Sequence, residues 1–167
     1  MRHPAALPID DLHRFCDVKR TRRGGPGGQH RNKVETAVVV THLPTGFTGQ
    51  AAERRSQDLN FQVAMHRLRV QLALSVRIPV AGEDQPSPLW QSRCQRRKIV
   101  VSPQSDDFPA LLAEALDRLA AYQWDVAQVA EQFGATTTQF VRFLKLEPRA
   151  FGQLNSERRA RGLKPLQ

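Results

Sequence analysis

The chain has 167 residues, with 25 Lys and Arg against 16 Asp and Glu, a formal net charge of +9 and a sequence pI near 10.7. This length allows one domain or two small ones. No run approaches the ~20 apolar residues that cross a bilayer, and residues 1–11 hold no apolar leader core while carrying Asp10 and Asp11, which argues against a transit peptide. Cys16 and Cys94 stand outside any metal-ligand spacing, and two reduced thiols fit a reducing compartment. The expectation is a cytoplasmic protein without metal or cofactor, whose partner is a polyanion, with nucleic acid ahead of a membrane surface.

In chain order, Ile9 to Phe15 predicts a short helical turn and Cys16 to Thr21 a strand. Residues 24–33 then read Gly-Gly-Pro-Gly-Gly-Gln-His-Arg-Asn-Lys, with Lys19, Arg20, Arg22 and Arg23 before the glycines and Arg31 and Lys33 after them. Glycine reaches backbone conformations closed to other residues and allows close approach to a ligand. A cationic run around a glycine tip fits a loop that enters a polyanionic pocket backbone-first. The tip holds no nucleophile, carboxylate pair or metal cluster. Chemistry there would fall to backbone N–H groups and the Gln29 amide, and preorganised backbone donors stabilise a developing oxyanion. The alternative is an ordinary flexible turn between strands. The spacing matches neither nucleotide-binding glycine pattern.

Ala37 to Thr41 is a β-branched run and predicts a strand. Leu43-Pro44-Thr45-Gly46 predicts a turn, and Phe47 to Ala51 the returning strand. Ser56 caps a long helix running to about Val76, with Asp58 in its first turn. Phe61, Met65, Leu68, Leu72 and Val76 share one face and read as core against the hairpin. Residues 79–109 read as a linker rich in Pro and polar residues, with a strand at Ile99-Val100-Val101 and four cations at Arg93, Arg96, Arg97 and Lys98. Asp107 caps a further helix buried through Leu112, Ala115, Leu116, Leu119 and Ala120. A helix from Trp124-Asp125 stops at Gly134, another is capped by Thr137, and a last one runs from Pro148 to about Arg161. Val129, Ala130, Phe133, Gly134 and Phe140 fit a helix-turn-helix pattern whose outer face carries Thr138, Gln139, Arg142 and Lys145. That pattern reads either as a nucleic-acid contact or as plain helical packing.

Four ordered motifs carry a resemblance: residues 24–33, then Glu35-Thr36-Ala37-Val38, then His42-Leu43-Pro44-Thr45-Gly46, then Arg55-Ser56-Gln57-Asp58-Leu59-Asn60. Over Cys16 to Leu74 the chain resembles the catalytic domain of bacterial class I peptide chain release factors. The resemblance implies hydrolysis, in the peptidyl transferase centre of the large ribosomal subunit, of the ester joining a nascent peptide to tRNA. It implies Gly27, Gly28 and Gln29 as the catalytic tip, with the Gln29 backbone N–H on the reacting oxygen and its side chain positioning water. It implies RNA contacts for Arg20, Arg22, Arg23, His30, Arg31, Asn32, Lys33, Arg55, Ser56 and Gln57. Gln29 would also be the N5-methylation target of a glutamine methyltransferase.

The implied partners are large-subunit ribosomal RNA and peptidyl-tRNA, and the chain is expected to act as a monomer. The implied fold class is α+β: a small β-sheet or hairpin packed on a long helix with a protruding Gly-Gly-Gln loop, followed by a helical region of helix-turn-helix type. The expected division is a catalytic domain at residues 1–78, a linker at 79–106 and a helical domain at 107–167. Fewer than 30 residues precede Gln29, which suggests the short codon-independent hydrolases that rescue stalled ribosomes rather than a codon reader. Two features depart from those proteins. Arg22-Arg23 replaces small polar residues before the loop, and the C-terminus is helical with a modest basic cluster (Arg158, Arg159, Arg161, Lys164) in place of a Lys/Arg-rich tail. A non-catalytic RNA-binding or ribosome-associated protein and, more remotely, a transcriptional regulator built on the C-terminal helices are the competing readings.

Overall fold

The computed structural model describes residues 2–21, 36–80 and 85–167. A 3-10 turn (Pro4–Ala6) and helix α1 (Ile9–His13) lead into strand β1 (Cys16–Thr21). Strands β2 (Ala37–His42) and β3 (Thr48–Ala51) complete an antiparallel sheet in the order β1-β2-β3. Helix α2 (Gln57–Ser75) follows, then α3 (Pro88–Arg93) and a two-residue hairpin of β4 (Cys94–Gln95) and β5 (Lys98–Ile99). Four helices close the chain: α4 (Phe108–Ala121), α5 (Val126–Gln132), α6 (Thr137–Lys145) and α7 (Pro148–Ala160). The result is a small mixed α+β unit with antiparallel sheets, followed by a helical region.

The sheet forms where β-branched residues alternate. Val38, Val40 and His42 of β2 point inward and are buried, while Ala37, Val39 and Thr41 are half-exposed. Turn chemistry sets the register. Gly46 adopts φ +72°, a left-handed conformation that glycine takes without a Cβ penalty, and its N–H donates to the His42 carbonyl at 2.8 Å. Nδ1 of His42 lies 2.8 Å from the Thr45 hydroxyl. The motif His42–Gly46 is therefore a hairpin clamp.

The sheet lies on α2. Ser56 is the N-cap, its hydroxyl accepting from the Leu59 N–H at 3.4 Å. Met65, Leu68 and Leu72 are fully buried, as the spacing predicts, and so are Ala64 and Ala73; Phe61 and Val76 are only half-buried. Contact is closest at Gly49 of β3. A Cβ built there would stand 2.0 Å from the Ala64 carbonyl oxygen and 2.5 Å from the Leu68 amide nitrogen. No other residue fits between that strand and that helix backbone.

The far side of α2 packs on α4. Helix α4 is buried nearly all round: Phe108, Leu111, Leu112, Ala113, Ala115, Leu116 and Leu119 are all at 1% exposure or less. One cluster of buried residues runs from Ala5 through α2, Trp90 and α4 to Leu154 of α7. The N-terminal segment is pinned to it by polar groups. The Ala5 N–H donates to His3 Nδ1 at 3.0 Å, so the ring proton sits on Nε2, which faces the Val76 carbonyl at 3.2 Å. Arg69 donates from Nε to the Ala5 carbonyl at 3.0 Å.

Three expectations of detail are corrected. The N-cap of α6 is Thr136, whose hydroxyl accepts from the Gln139 N–H at 3.2 Å, rather than Thr137. Asp107 occupies the cap position of α4 without a side-chain capping bond, because its carboxylate is engaged by Arg93. The extra strand is shorter than residues 99–101 and pairs as Lys98–Ile99 with Cys94–Gln95. The segment around it is anchored by Trp90, whose Nε1 donates to the Phe133 carbonyl at 3.0 Å and whose ring stacks on Phe133 at 4.0 Å.

Asp117 of α4 is the buried charge with the largest consequence. Its Oδ1 accepts from the Ile78 N–H at 3.1 Å and lies 3.7 Å from an Arg77 nitrogen. Burial nevertheless pushes its carboxyl up to about 6, the Ile78 N–H and the Arg77 guanidinium offsetting only part of that cost. The folded chain therefore holds this proton at pH values where the unfolded chain has released it. Stability from this group is present below the unfolded value of 3.8 and is lost as pH rises to about 6. Asp117→Asn removes that slope, amounting to about 3 kcal/mol, as urea unfolding between pH 4 and about 7 will measure. Gly49→Ala lowers unfolding free energy by about 3 kcal/mol in the same measurement, because strand and helix must separate to admit the methyl group.

Candidate functional site

The candidate site is built around the connection between β1 and β2. The strands pair in register up to Thr21 opposite Ala37. The expected tip residues Gly27, Gly28 and Gln29, and the neighbouring Arg22, Arg23, His30, Arg31, Asn32 and Lys33, lie outside the described residues. What the structure places is the frame from which that connection departs and to which it returns.

The return point is locked by Asn60. This side chain, fully buried on α2, donates from Nδ2 to the Thr36 carbonyl at 2.5 Å and to the Arg54 carbonyl at 2.9 Å. Its Oδ1 accepts from the Arg54 N–H at 2.9 Å. One amide thus ties together three pieces of chain: the residue that enters β2, the segment 53–56 before α2, and the first turn of α2. Sequence reading quoted Asn60 within a motif but gave it no task. The available signal was an amide in register with Ala64 and Leu68, on the apolar face of a helix where a buried polar group needs partners.

A second brace holds β3. Arg67 donates to the Gln50 carbonyl at 2.7 Å and pairs with Glu53 at 2.6 Å. The Glu53 carboxyl is held below its usual range, first by the Ala52 N–H and with further help from Arg67. The reach of Arg67 back to β3 fixes the segment that carries Arg54 and Arg55. A groove at this end of the sheet is lined by Thr21, Ala37, Val38, Val39, Gln50, Ala51, Ala52 and Arg67.

Four of the expected RNA-contacting residues are placed. Arg20 is exposed on β1, opposite Val38 in register. Arg55 is exposed, Ser56 is the cap of α2 and Gln57 its first residue. Ser56 is thus occupied in holding the helix start. Arg20 lies on the strand leading into the undescribed connection, and Arg55 lies in the segment that Asn60 ties to its exit.

Among the described residues, the expected site side chains that are placed are cations, an amide and the capping hydroxyl of Ser56. Both cysteines are free, and burial pushes the Cys16 and Cys94 thiols up, away from thiolate. No group of three potential metal ligands occurs among them, and no helix is long and apolar enough to cross a membrane. A frame of this kind contributes position and positive charge.

Comparison with known proteins agrees with the motifs. The family described as RF-1 domain matches residues 12–106, more than half of the chain. Peptide chain release factor PrfB1, chloroplastic, of Arabidopsis thaliana is 48% identical over 66 residues, covering 40% of this chain and 14% of its own length. Peptide chain release factor 1 of Nautilia profundicola is 38% identical over 111 residues, covering 60% of this chain and 31% of its own. That of Symbiobacterium thermophilum is 52% identical over 56 residues, covering 34% and 16%. The chain spans less than a third of the length of these relatives.

Asn60→Ala leaves the Thr36 and Arg54 carbonyls and the Arg54 N–H without their partner. It will cost about 3 kcal/mol of unfolding free energy. Hydrogen exchange at the Arg54 amide should accelerate well beyond that at amides in the middle of α2.

Proposed function

The chain belongs to the RF-1 domain family of peptide chain release factors, and from that premise we propose that it hydrolyses the ester of peptidyl-tRNA inside the ribosome. The observation that carries the reading is the ordered set of four motifs, all within or bordering the matched region, in a chain whose described frame is built to present the β1–β2 connection. In this reading Gly27, Gly28 and Gln29 form the working tip. Water attacks the ester carbonyl carbon, the bond to the ribose oxygen breaks, and that oxygen takes up a proton to leave as a hydroxyl. The Gln29 backbone N–H steadies the oxygen on which charge develops, and its side chain orients the water. No acid or base side chain is required of the protein, because ribosomal RNA and the tRNA hydroxyl supply the remaining groups.

The cations have a supporting task. Arg20, Arg22, Arg23, Arg31 and Lys33 meet RNA phosphates, His30 and Asn32 brace the tip against RNA, and Arg55, Ser56 and Gln57 set the helix start beside it. We read release as independent of a codon, with stalled ribosomes as its setting. Gln29 is the natural target for a glutamine methyltransferase, and the protein acts as a monomer in the cytoplasm.

The competing reading is an RNA-binding or ribosome-associated protein that keeps the fold without the reaction. Peptide release from ribosomes carrying truncated, sense or stop-codon messages separates the two. The proposal expects release with all three, and a loss of about 100–1000-fold in Gly28→Ala or Gln29→Ala with ribosome binding retained. No release by the parent protein would leave the non-catalytic reading standing.

A further inference from the structure

The cations of residues 93–98 have no task in the reaction, and the fold places them with care. The β4–β5 hairpin turns through Arg96 at φ +47° and Arg97 at φ +63°. Two consecutive left-handed residues are the signature of a tight hairpin turn usually made by Asn-Gly. Each costs an arginine of order 1 kcal/mol relative to glycine. Arginines held at such a tip against conformational preference need a reason.

The tip is joined to α6. The Arg97 carbonyl accepts from the Thr136 N–H at 3.3 Å, and the Arg97 guanidinium pairs with Glu131 of α5 at 2.7 Å while reaching the Ala135 carbonyl at 3.3 Å. The hairpin therefore abuts the start of α6. Along α6, Thr138, Arg142 and Lys145 lie exposed on the face opposite buried Phe140, Phe143 and Leu144. Neither residues 94–99 nor residues 137–145 include an Asp or Glu. Of the nearby acids, Glu131 is paired with Arg97, Asp107 with Arg93 and Glu147 with Arg149. Arg96, Lys98 and Arg142 are exposed and in no ion pair among the described residues.

We infer that the β4–β5 tip and the outer face of α6 form a second nucleic-acid contact surface, which takes the phosphate backbone of duplex RNA. Arg142 lies about 9 Å along the helix from Thr136, so tip and helix reach successive phosphates rather than one. Arginine and lysine on short, rigid elements suit phosphate contact, and duplex RNA is recognised mainly through its backbone and shape. Affinity on this surface comes from counterion release, so it falls with salt and carries little sequence preference. The choice of RNA over DNA rests on the release-factor reading.

The test uses the full chain and a synthetic RNA duplex of about 16 base pairs, followed by fluorescence anisotropy across a salt series. Peptide release is not the readout, so this surface can fail or succeed independently of the hydrolysis proposal. Arg96→Glu with Arg142→Glu should weaken binding about 30-fold and reduce the slope of log affinity against log salt by about 2. The same charge change at Arg2→Glu with Arg14→Glu should cost far less. Arg96→Gly keeps the turn and relieves its strain; it should melt no lower than the parent yet bind RNA more weakly, a combination no purely structural arginine gives. Parental affinity in the double variant, an equal loss in the N-terminal control pair, or preference for one DNA sequence over duplex RNA would overturn the proposal.

Discussion

The structure depends on how closely β3 lies against α2. At Gly49 the strand backbone meets the helix backbone with no side chain between them. That approach sets the height of the whole sheet above the helix, because β2 is hydrogen-bonded to β3 and β1 to β2. Asn60 is short; its amide spans from α2 to Thr36 only if the sheet sits low. The missing Cβ at Gly49 and the buried amide at Asn60 are thus one device seen at two points. The first brings the layers together, and the second uses the proximity to fasten the exit of the β1–β2 connection.

Around this device polar side chains tie helices to irregular segments of the chain. Arg69 holds the N-terminal segment to α2, Asp117 holds the chain after α2 to α4, and Glu114 of α4 accepts from Ser87 through both its N–H, at 2.7 Å, and its hydroxyl, at 2.6 Å. Each joins a helix to an irregular segment whose backbone would otherwise be short of partners. The cost is visible at Asp117, where burial outweighs the Arg77 guanidinium and the carboxyl stays easy to protonate. Such contacts fix the path of the irregular segments.

The locally encoded features were legible in the sequence. Ser56, Gly46 and Gly134 announce a helix start, a turn and a helix end through chemistry confined to a few residues, and the structure uses each so. The apolar stripe of α2 was legible because one of its faces meets the sheet. In α4 the helix and one face, Leu112, Ala115, Leu116 and Leu119, were legible, while the second face, covered by residues distant in the chain, was not. Asp117 and Arg118, which periodicity assigns to solvent, are buried there. The short hairpin was hidden for the opposite reason: Arg-Arg carries no turn signal, and its geometry is imposed by tethers to Glu131 and Thr136. At the site the motifs were visible while the mechanics were not. Asn60 and Gly49 act across layers, and one chain does not state which layers touch.

Trp90 lies inside the stretch matched by the family, yet its indole is seated on Phe133, Phe140 and Phe143, all beyond that stretch. The ring is 1% exposed. A break in the packing of α5 and α6 would therefore uncover an aromatic face on the upstream segment, and melting would spread from one region to the other instead of stopping between them. The helices after residue 106 share buried contacts with the segment upstream of them, so a change in their packing also reaches the frame that carries the Gly-Gly-Gln connection.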